Sequence, residues 1–359
     1  MSRMPLGSLP QTSQGRVGGL VEKLTPGYFA LVMASGIISI GLNLSGFRAL
    51  SIALLVVCIV AYVALVVLNV WRFAGHRAAM IDDFRDPKRA FGFFTFVAGT
   101  NVLGTRIAAE GWHTATAWLL TMSFLVWLVL GYVIPWSAVL GRSERPVVAL
   151  ANGTWFIWVV ASQSVAVSAA TLEVVFHDAR QSLAILAVFS WSVGVFLYAA
   201  SAIIVSLRIM LYELDPKEFD PPYWVSMGAV AITVVAGARI VEMDSAPMVD
   251  ATRGLIAGLS VVFWAFATWL IPVLVAAGVW RHFVRKVPLV YVPTLWSMIF
   301  PLGMYAVAGI YLGRADGLPI VEAIGSKWLW VAVTAWVIVF VAMVRSVSQA
   351  LVVPRRPRS

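Results

Sequence analysis

One cysteine, Cys58, stands alone in 359 residues, inside an apolar run. A lone thiol excludes a disulfide framework and any cysteine-based metal site within one chain. Charge is scarce as well: 12% of residues are Asp, Glu, Lys or Arg, about half of what a soluble domain uses to face water. The four histidines, His76, His113, His177 and His282, fall in loops or at the ends of apolar runs. None has a His-x-x-Glu-His or similar spacing, so no metal centre, cofactor or catalytic constellation is expected. The stretch before Thr25 is polar and Gly/Ser-rich. It lacks the apolar core of a cleaved signal peptide.

What the chain has in abundance is apolar length. Hydrophobic residues make up 61%, and the mean hydropathy is +0.89. A membrane span needs about 20 apolar residues. Ten stretches qualify, at roughly 28–44, 50–71, 90–108, 115–140, 150–172, 182–207, 223–243, 254–279, 290–312 and 327–345. They predict an all-α integral membrane protein. A polar tail over 1–24 and a basic tail over 346–359 flank a ten-helix unit over 25–345.

The net charge of +9 suggests nucleic acid at first sight, but its distribution argues otherwise. With ten spans and a cytoplasmic N-terminus, 19 of the 26 Lys/Arg fall on the inside, 5 fall outside, and Arg106 and Arg239 lie within spans. That bias is the positive-inside rule. It predicts a multi-pass plasma-membrane protein with both termini in the cytoplasm, its basic loops facing anionic lipid rather than nucleic acid.

Each inferred cytoplasmic start of an odd span carries proline: Pro26, Pro87, Pro146, Pro221/Pro222 and Pro288/Pro293. Their spacings of 61, 59, 75 and 67 residues read as five helical hairpins packed as repeats. Proline suits the first helical turn, where its missing N–H costs nothing. The odd spans also hold most of the small and polar residues. Candidate pore-lining groups are Ser35, Ser39 and Asn43 on one face of span 1, Asn101 and Thr105 in span 3, Gln163 in span 5, Thr233 in span 7 and Ser297 in span 9. The even spans are nearly pure hydrocarbon, as in IALLVVCIVAYVALVVL of span 2. The expectation is five inner helices around a wet pathway and five outer helices against lipid. Ordinary close packing of helices through small and hydroxyl residues is the alternative for any single span.

Arg106 and Arg239 are the sharpest candidates. An ion near mid-membrane costs roughly 2.5–3.5 kcal/mol on the insertion scale, and so marks a site by default. Both lie 16 residues after the start of their spans, about 24 Å along the helix. Two level cations would attract anions. Equally, each has an acid one turn on, Glu110 and Glu242, with which to pair. In span 9, Phe300-Pro301 places a ring beside a kink, either as a plug in a pore or as packing. The loop DDFRDPK gives Asp82 and Asp86 the spacing with which membrane prenyltransferases hold Mg²⁺-diphosphate. That enzyme is the alternative function, and a non-transporting scaffold a third. The second acidic loop, 213–220, lacks the spacing.

The segments TPGYFALVMASGIISIG, ANGTWFIWVVASQS and WSMIFPLGMYAVAG together resemble the tellurite-resistance/dicarboxylate transporter family. That family includes the plant slow-type anion channels and the yeast malate and sulfite transporters. The resemblance runs over about residues 24–345. It implies five inner helices around a central pore in each protomer, commonly a trimer, and passage of small anions without ATP. A phenylalanine of span 9, here Phe300, would occlude the pore. Malate-like dicarboxylates, sulfite, chloride or nitrate are the expected cargo, and a cell negative inside favours their export.

Overall fold

The computed structural model describes residues 13–141, 145–244 and 246–352. Arg3, Arg142, Arg355, Arg356 and Arg358 of the charge argument lie outside them. The described residues form twelve α-helices and no strand. In chain order these are α1 (Ser13–Glu22), α2 (Ala30–Leu44), α3 (Arg48–Gly75), α4 (Arg77–Arg85), α5 (Phe94–Ala108), α6 (His113–Ile134), α7 (Phe156–Glu173), α8 (Arg180–Leu211), α9 (Val225–Val241), α10 (Pro247–Val279), α11 (Trp296–Ala315) and α12 (Pro319–Val352). Nine helices among the described residues, counted with their flanking turns, are long and apolar enough to cross a membrane. The third apolar stretch, which becomes α5, is diluted by Thr95, Thr100, Asn101, Thr105 and Arg106.

Burial divides the helices into two classes. The segments built on α2, α7, α9 and α11 are 78% or 83% buried, whereas those built on α3, α6, α8, α10 and α12 are 17–33% buried. α5 belongs with the first class: Val97, Ala98, Thr100, Asn101 and Arg106 are all buried. The second class turns outward long apolar side chains such as Val63, Trp118, Phe196, Trp269 and Ile338. So much exposed hydrocarbon is stable against lipid tails and not against water.

The buried helices pack in a cycle: α2 on α5, α5 on α7, α7 on α9, α9 on α11, and α11 back on α2. Each also packs on the outer helix that follows it, so the contacts pair α2 with α3, α5 with α6, α7 with α8, α9 with α10 and α11 with α12. A 3₁₀ turn opens every inner helix: Pro26–Phe29, Ala90–Phe93, Gly153–Trp155, Pro221–Trp224 and Pro293–Leu295. The five turns touch one another in the same cyclic order as the helices they open. Three begin on proline, whose fixed φ and absent N–H suit a first turn. The fit is tight. A Cβ on Gly153 would lie 2.2 Å from the backbone carbon of Pro222, so only glycine lets the third and fourth turns meet. Gly309 and Gly325 do the same between α11 and α12, where a Cβ on Gly309 would lie 2.9 Å from Gly325 Cα.

Three boundaries differ from the sequence expectation. α10 and α12 start at Pro247 and Pro319 rather than near 254 and 327, because proline at the first helical position extends each helix into what reads as loop. Within the tail expected to be merely polar, Ser13–Glu22 is helical and packs on α3. The Arg72 Nε donates to the Glu22 carbonyl at its end.

Candidate functional site

Two cavities lie along the axis of the inner cycle. The larger, about 260 Å³, sits among the five opening turns and takes lining residues from each: Gly27, Gly92, Thr154, Tyr223 and Thr294. The smaller, about 20 Å³, sits further along and again draws on all five inner helices: Ile37 of α2, Asn101 of α5, Val167 of α7, Ile232 of α9 and Val307 of α11. A volume of 20 Å³ is about that of one water. The turns that line the larger cavity open the same five helices that line the smaller, so the two cavities lie on one axis.

Phe300 lies on α11 between the residues that line the two cavities. Ser297 lines the larger cavity, while Met304, Val307 and Tyr311 line the smaller. Steps of three and four residues keep one face of a helix, and Phe300 falls on that stripe between Ser297 and Met304. Its side chain is fully buried. α11 runs through Pro301 without a break, and the proline ring seats on α9, where a Cβ on Gly228 would lie 2.8 Å from its Cγ.

The polar residues of the odd spans separate by direction. Asn101 and Thr105 line the smaller cavity. They also form two rungs to α7, one turn apart: Asn101 Nδ2 donates to Ser164 Oγ over 3.0 Å, and the Thr105 and Ser168 hydroxyls meet at 3.3 Å. Ser297 lines the larger cavity. Asn101 also reaches an outer helix, its Oδ1 accepting from Ser123 of α6, and three others line neither cavity and turn to outer helices. Ser35 accepts from Trp336 Nε1 of α12, Ser39 exchanges hydrogen bonds with Ser51 of α3, and Gln163 donates to the Trp191 carbonyl of α8. Thr233 donates to the Ala229 carbonyl of its own helix. Asn43 is half-buried near the end of α2.

The two arginines, level by residue count, sit in different surroundings. Arg106 is fully buried. It donates from Nε to Ser39 and from Nη2 to Ser51, both at 2.8 Å, and pairs through Nη1 with Glu110 at 3.0 Å. Glu110 in turn holds Arg48. Arg239 pairs with Glu242 at 3.0 Å and lies over the Tyr311 ring, 5.6 Å from its centroid. It continues the lining stripe Ile232, Val235 by one more turn, and its side chain keeps 22% of its surface open.

The Asp82/Asp86 pair is not brought to a common centre. Asp82 is exposed, and Asp86 accepts the Lys88 backbone N–H at the end of α4. The buried acid of this loop is Asp83, which the sequence reading passed over. It is clamped by Arg72 at 2.7 Å and Arg89 at 2.8 Å. Also missed was the charged mouth of the larger cavity, where Lys88, Arg89, Arg208, Glu218 and Asp220 converge. The Glu218 carboxylate bridges Lys88 Nζ and Arg208 Nη2, each at 2.9 Å. Asp220 Oδ1 is buried without a hydrogen-bond partner. Burial pushes its carboxyl up to about 6, against the opposing pull of Arg281 and Lys88. The available signal was the acidic loop 213–220, set aside for lacking a metal-type spacing.

The sequence is similar to known membrane proteins and transporters. Over 156 residues the chain is 57% identical to an uncharacterized membrane protein of Mycobacterium tuberculosis, covering 44% of this chain and 79% of that protein. Over 331 residues it is 22% identical to an uncharacterized transporter of Methanocaldococcus jannaschii, covering 90% of this chain and 93% of the other. A second transporter of that organism is 28% identical over 159 residues, 44% of this chain and 45% of its own length. Residues 23–344 match the voltage-dependent anion channel family as a whole. With a multi-pass helical body and a family match across most of its length, this chain belongs to the voltage-dependent anion channel family, a family of anion channels and transporters.

Proposed function

We propose that the chain passes small anions along the axis of its inner helices, with ten membrane-crossing helices arranged as five hairpins. The observation that carries this reading is the pair of cavities, the larger lined by the five opening turns and the smaller by the five inner helices they open, with Phe300 on α11 between the residues that line them. In this reading the larger cavity is a vestibule, Phe300 is the constriction, and the small upper cavity leads toward Arg239. Pro301 fixes the ring's position by seating α11 on Gly228. Asn101, Thr105 and Ser297 are the polar groups that line the path. Arg239 draws anions at its far end, while Arg106 holds α5 to α2 and α3.

The Lys/Arg bias supports a vestibule on the cytoplasmic side of a plasma membrane, together with both termini. Transport needs no nucleotide. The driving force is the anion gradient plus the membrane potential, about 2.3 kcal/mol per charge for each 100 mV. In a cell negative inside this favours export of chloride, nitrate, sulfite or a malate-like dicarboxylate. A trimer is the assembly that the family resemblance implies.

The test is flux through the purified protein in liposomes. Chloride, nitrate, sulfite and malate are supplied in turn, with and without a pH gradient. Flux of at least one anion, driven by an imposed potential, is the expected result. Absence of flux for all four in well-folded protein would reject the reading.

A further inference from the structure

The mouth of the vestibule holds two cations, one on a buried arginine and one on a partly exposed lysine. Arg208 is buried, and its Nη1 donates to the carbonyls of Tyr212 and Glu213 at 3.2 and 3.0 Å. The backbone of Lys88 is held through its carbonyl, which accepts from Asn152 Nδ2 at 3.2 Å. Both side chains line the 260 Å³ cavity. The carboxylate that joins them comes from Glu218, which lies 130 residues from Lys88 in sequence on the loop between α8 and α9. One oxygen takes Lys88 and the other takes Arg208. That carboxylate is 40% exposed, on the rim of the cavity rather than in the protein interior.

A planar group with two acceptor oxygens, set between a lysine and a buried arginine at the door of a cavity, has the shape and charge of a bound oxyanion. Here it is tethered to the chain. Such a tether competes with a free ligand at the effective concentration set by its loop. The Lys88 half of the contact is open to solvent, where an ion pair contributes little, and an incoming anion takes over the charge that Glu218 supplies to the buried Arg208. Displacing Glu218 leaves its carboxylate in solvent and both cations available.

We infer that Lys88 and Arg208 form an anion-binding site at the vestibule mouth, and that Glu218 occupies it as a built-in competitor. The site takes a small oxyanion with two free oxygens, such as formate or nitrate. It serves the path only if the axis passes anions, as proposed above; binding itself does not depend on that reading.

The experiment uses the full chain in detergent, with formate or nitrate titrated at constant ionic strength and thermal unfolding as the readout. Glu218→Gln keeps the loop's size and removes the competing charge. It is expected to bring saturable stabilisation to about five- to tenfold lower anion concentration than in the wild type. Lys88→Gln added to Glu218→Gln is expected to abolish the saturable effect. Equal titrations for wild type and Glu218→Gln would overturn the inference, as would a Glu218→Gln response that survives loss of Lys88. In oriented liposomes, Glu218→Gln is expected to lower the half-saturating anion concentration on the vestibule side and leave the far side unchanged. A wild type that binds in detergent but carries no anion would overturn the transport reading and leave the binding site standing. An identical shift on both sides would overturn the placement of the site.

Discussion

Arg106 of α5 donates from Nε to Ser39 Oγ of α2 across 2.8 Å, and the same guanidinium reaches Ser51 of α3. The two serines exchange hydrogen bonds through each other's carbonyls at 2.7 Å. One arginine thus ties α5 to α2 and α3 inside the protein, with Glu110 as its counter-ion. Breaking a buried pair from one side costs about 3–5 kcal/mol, because the remaining groups are left unpaired. Arg106→Ala is expected to lower the melting temperature of the solubilised protein sharply. Arg106→Lys, a point charge without the planar fork, is expected to recover little of the loss. Anion preference in whatever protein folds is expected to be unchanged. A shifted reversal potential with normal stability would return Arg106 to the path.

Arg239 is expected to behave in the opposite way. Its ion pair with Glu242 is partly open to solvent, and such pairs contribute about 0.2–1 kcal/mol. Its place over Tyr311, a residue of the upper cavity, puts the charge beside the axis. Arg239→Ala is therefore expected to cost under about 1 kcal/mol of stability and to move the reversal potential toward zero under a salt gradient. Arg239→Lys, which keeps the charge, is expected to hold it. No movement with Arg239→Ala would make the residue structural.

Composition made the two helix classes legible, and burial follows it. The odd spans, rich in glycine and hydroxyl groups, are the buried ones. The direction of each polar group was not legible. A helix packed on every side has no apolar stripe to set its rotation, so Ser35, Ser39 and Gln163 read like Asn101, Thr105 and Ser297. Ser35, Ser39 and Gln163 turn out to bond to outer helices and line neither cavity, whereas Asn101 lines the smaller cavity and also accepts from Ser123 of α6. The pairing of Arg106 with Glu110 was visible as one helical turn, but Ser51 comes from another helix and carries no local signal. The same holds for Glu218. Its partners lie on two other segments, one of them 130 residues away, and no spacing rule joins them.

Asp220 gives the mouth a pH response. Its carboxyl ionises near pH 6 in the folded protein, raised from an ordinary 3.8 by burial, with Glu218 adding slightly and Arg281 and Lys88 opposing. Above pH 6 the folded state holds a disfavoured carboxylate. As pH falls through 6 that state takes up a proton which the unfolded chain does not bind until near 3.8. This group therefore adds stability as pH drops between those limits, by at most about 1.4 kcal/mol per pH unit. Asp220→Asn carries no titrating group. Relative to it, wild-type stability is expected to rise from pH 7 to pH 5 in thermal unfolding. Parallel curves over that range would show that the side chain is hydrated and titrates normally.

Phe300 is the residue on which the transport reading can fail most directly. The vestibule face of α11 ends at Ser297 and the upper cavity resumes at Met304, each one turn from the ring. The ring has no exposed surface, and the space above it holds about one water. In the proposed path a hydrated anion crosses this apolar level only by shedding water or moving the ring. Phe300→Ala removes the seal and joins the two cavities, at about 3–5 kcal/mol of packing if the space stays empty. Water entering from the vestibule would reduce that cost. Flux is expected to rise, by about tenfold for each 1.4 kcal/mol taken off the barrier, while Phe300→Leu, which keeps the level apolar and filled, is expected to stay near the wild type. Unchanged flux in folded Phe300→Ala protein would mean that the barrier lies elsewhere along the axis, with the Ile37 and Val307 level of the upper cavity as the next narrow place to test.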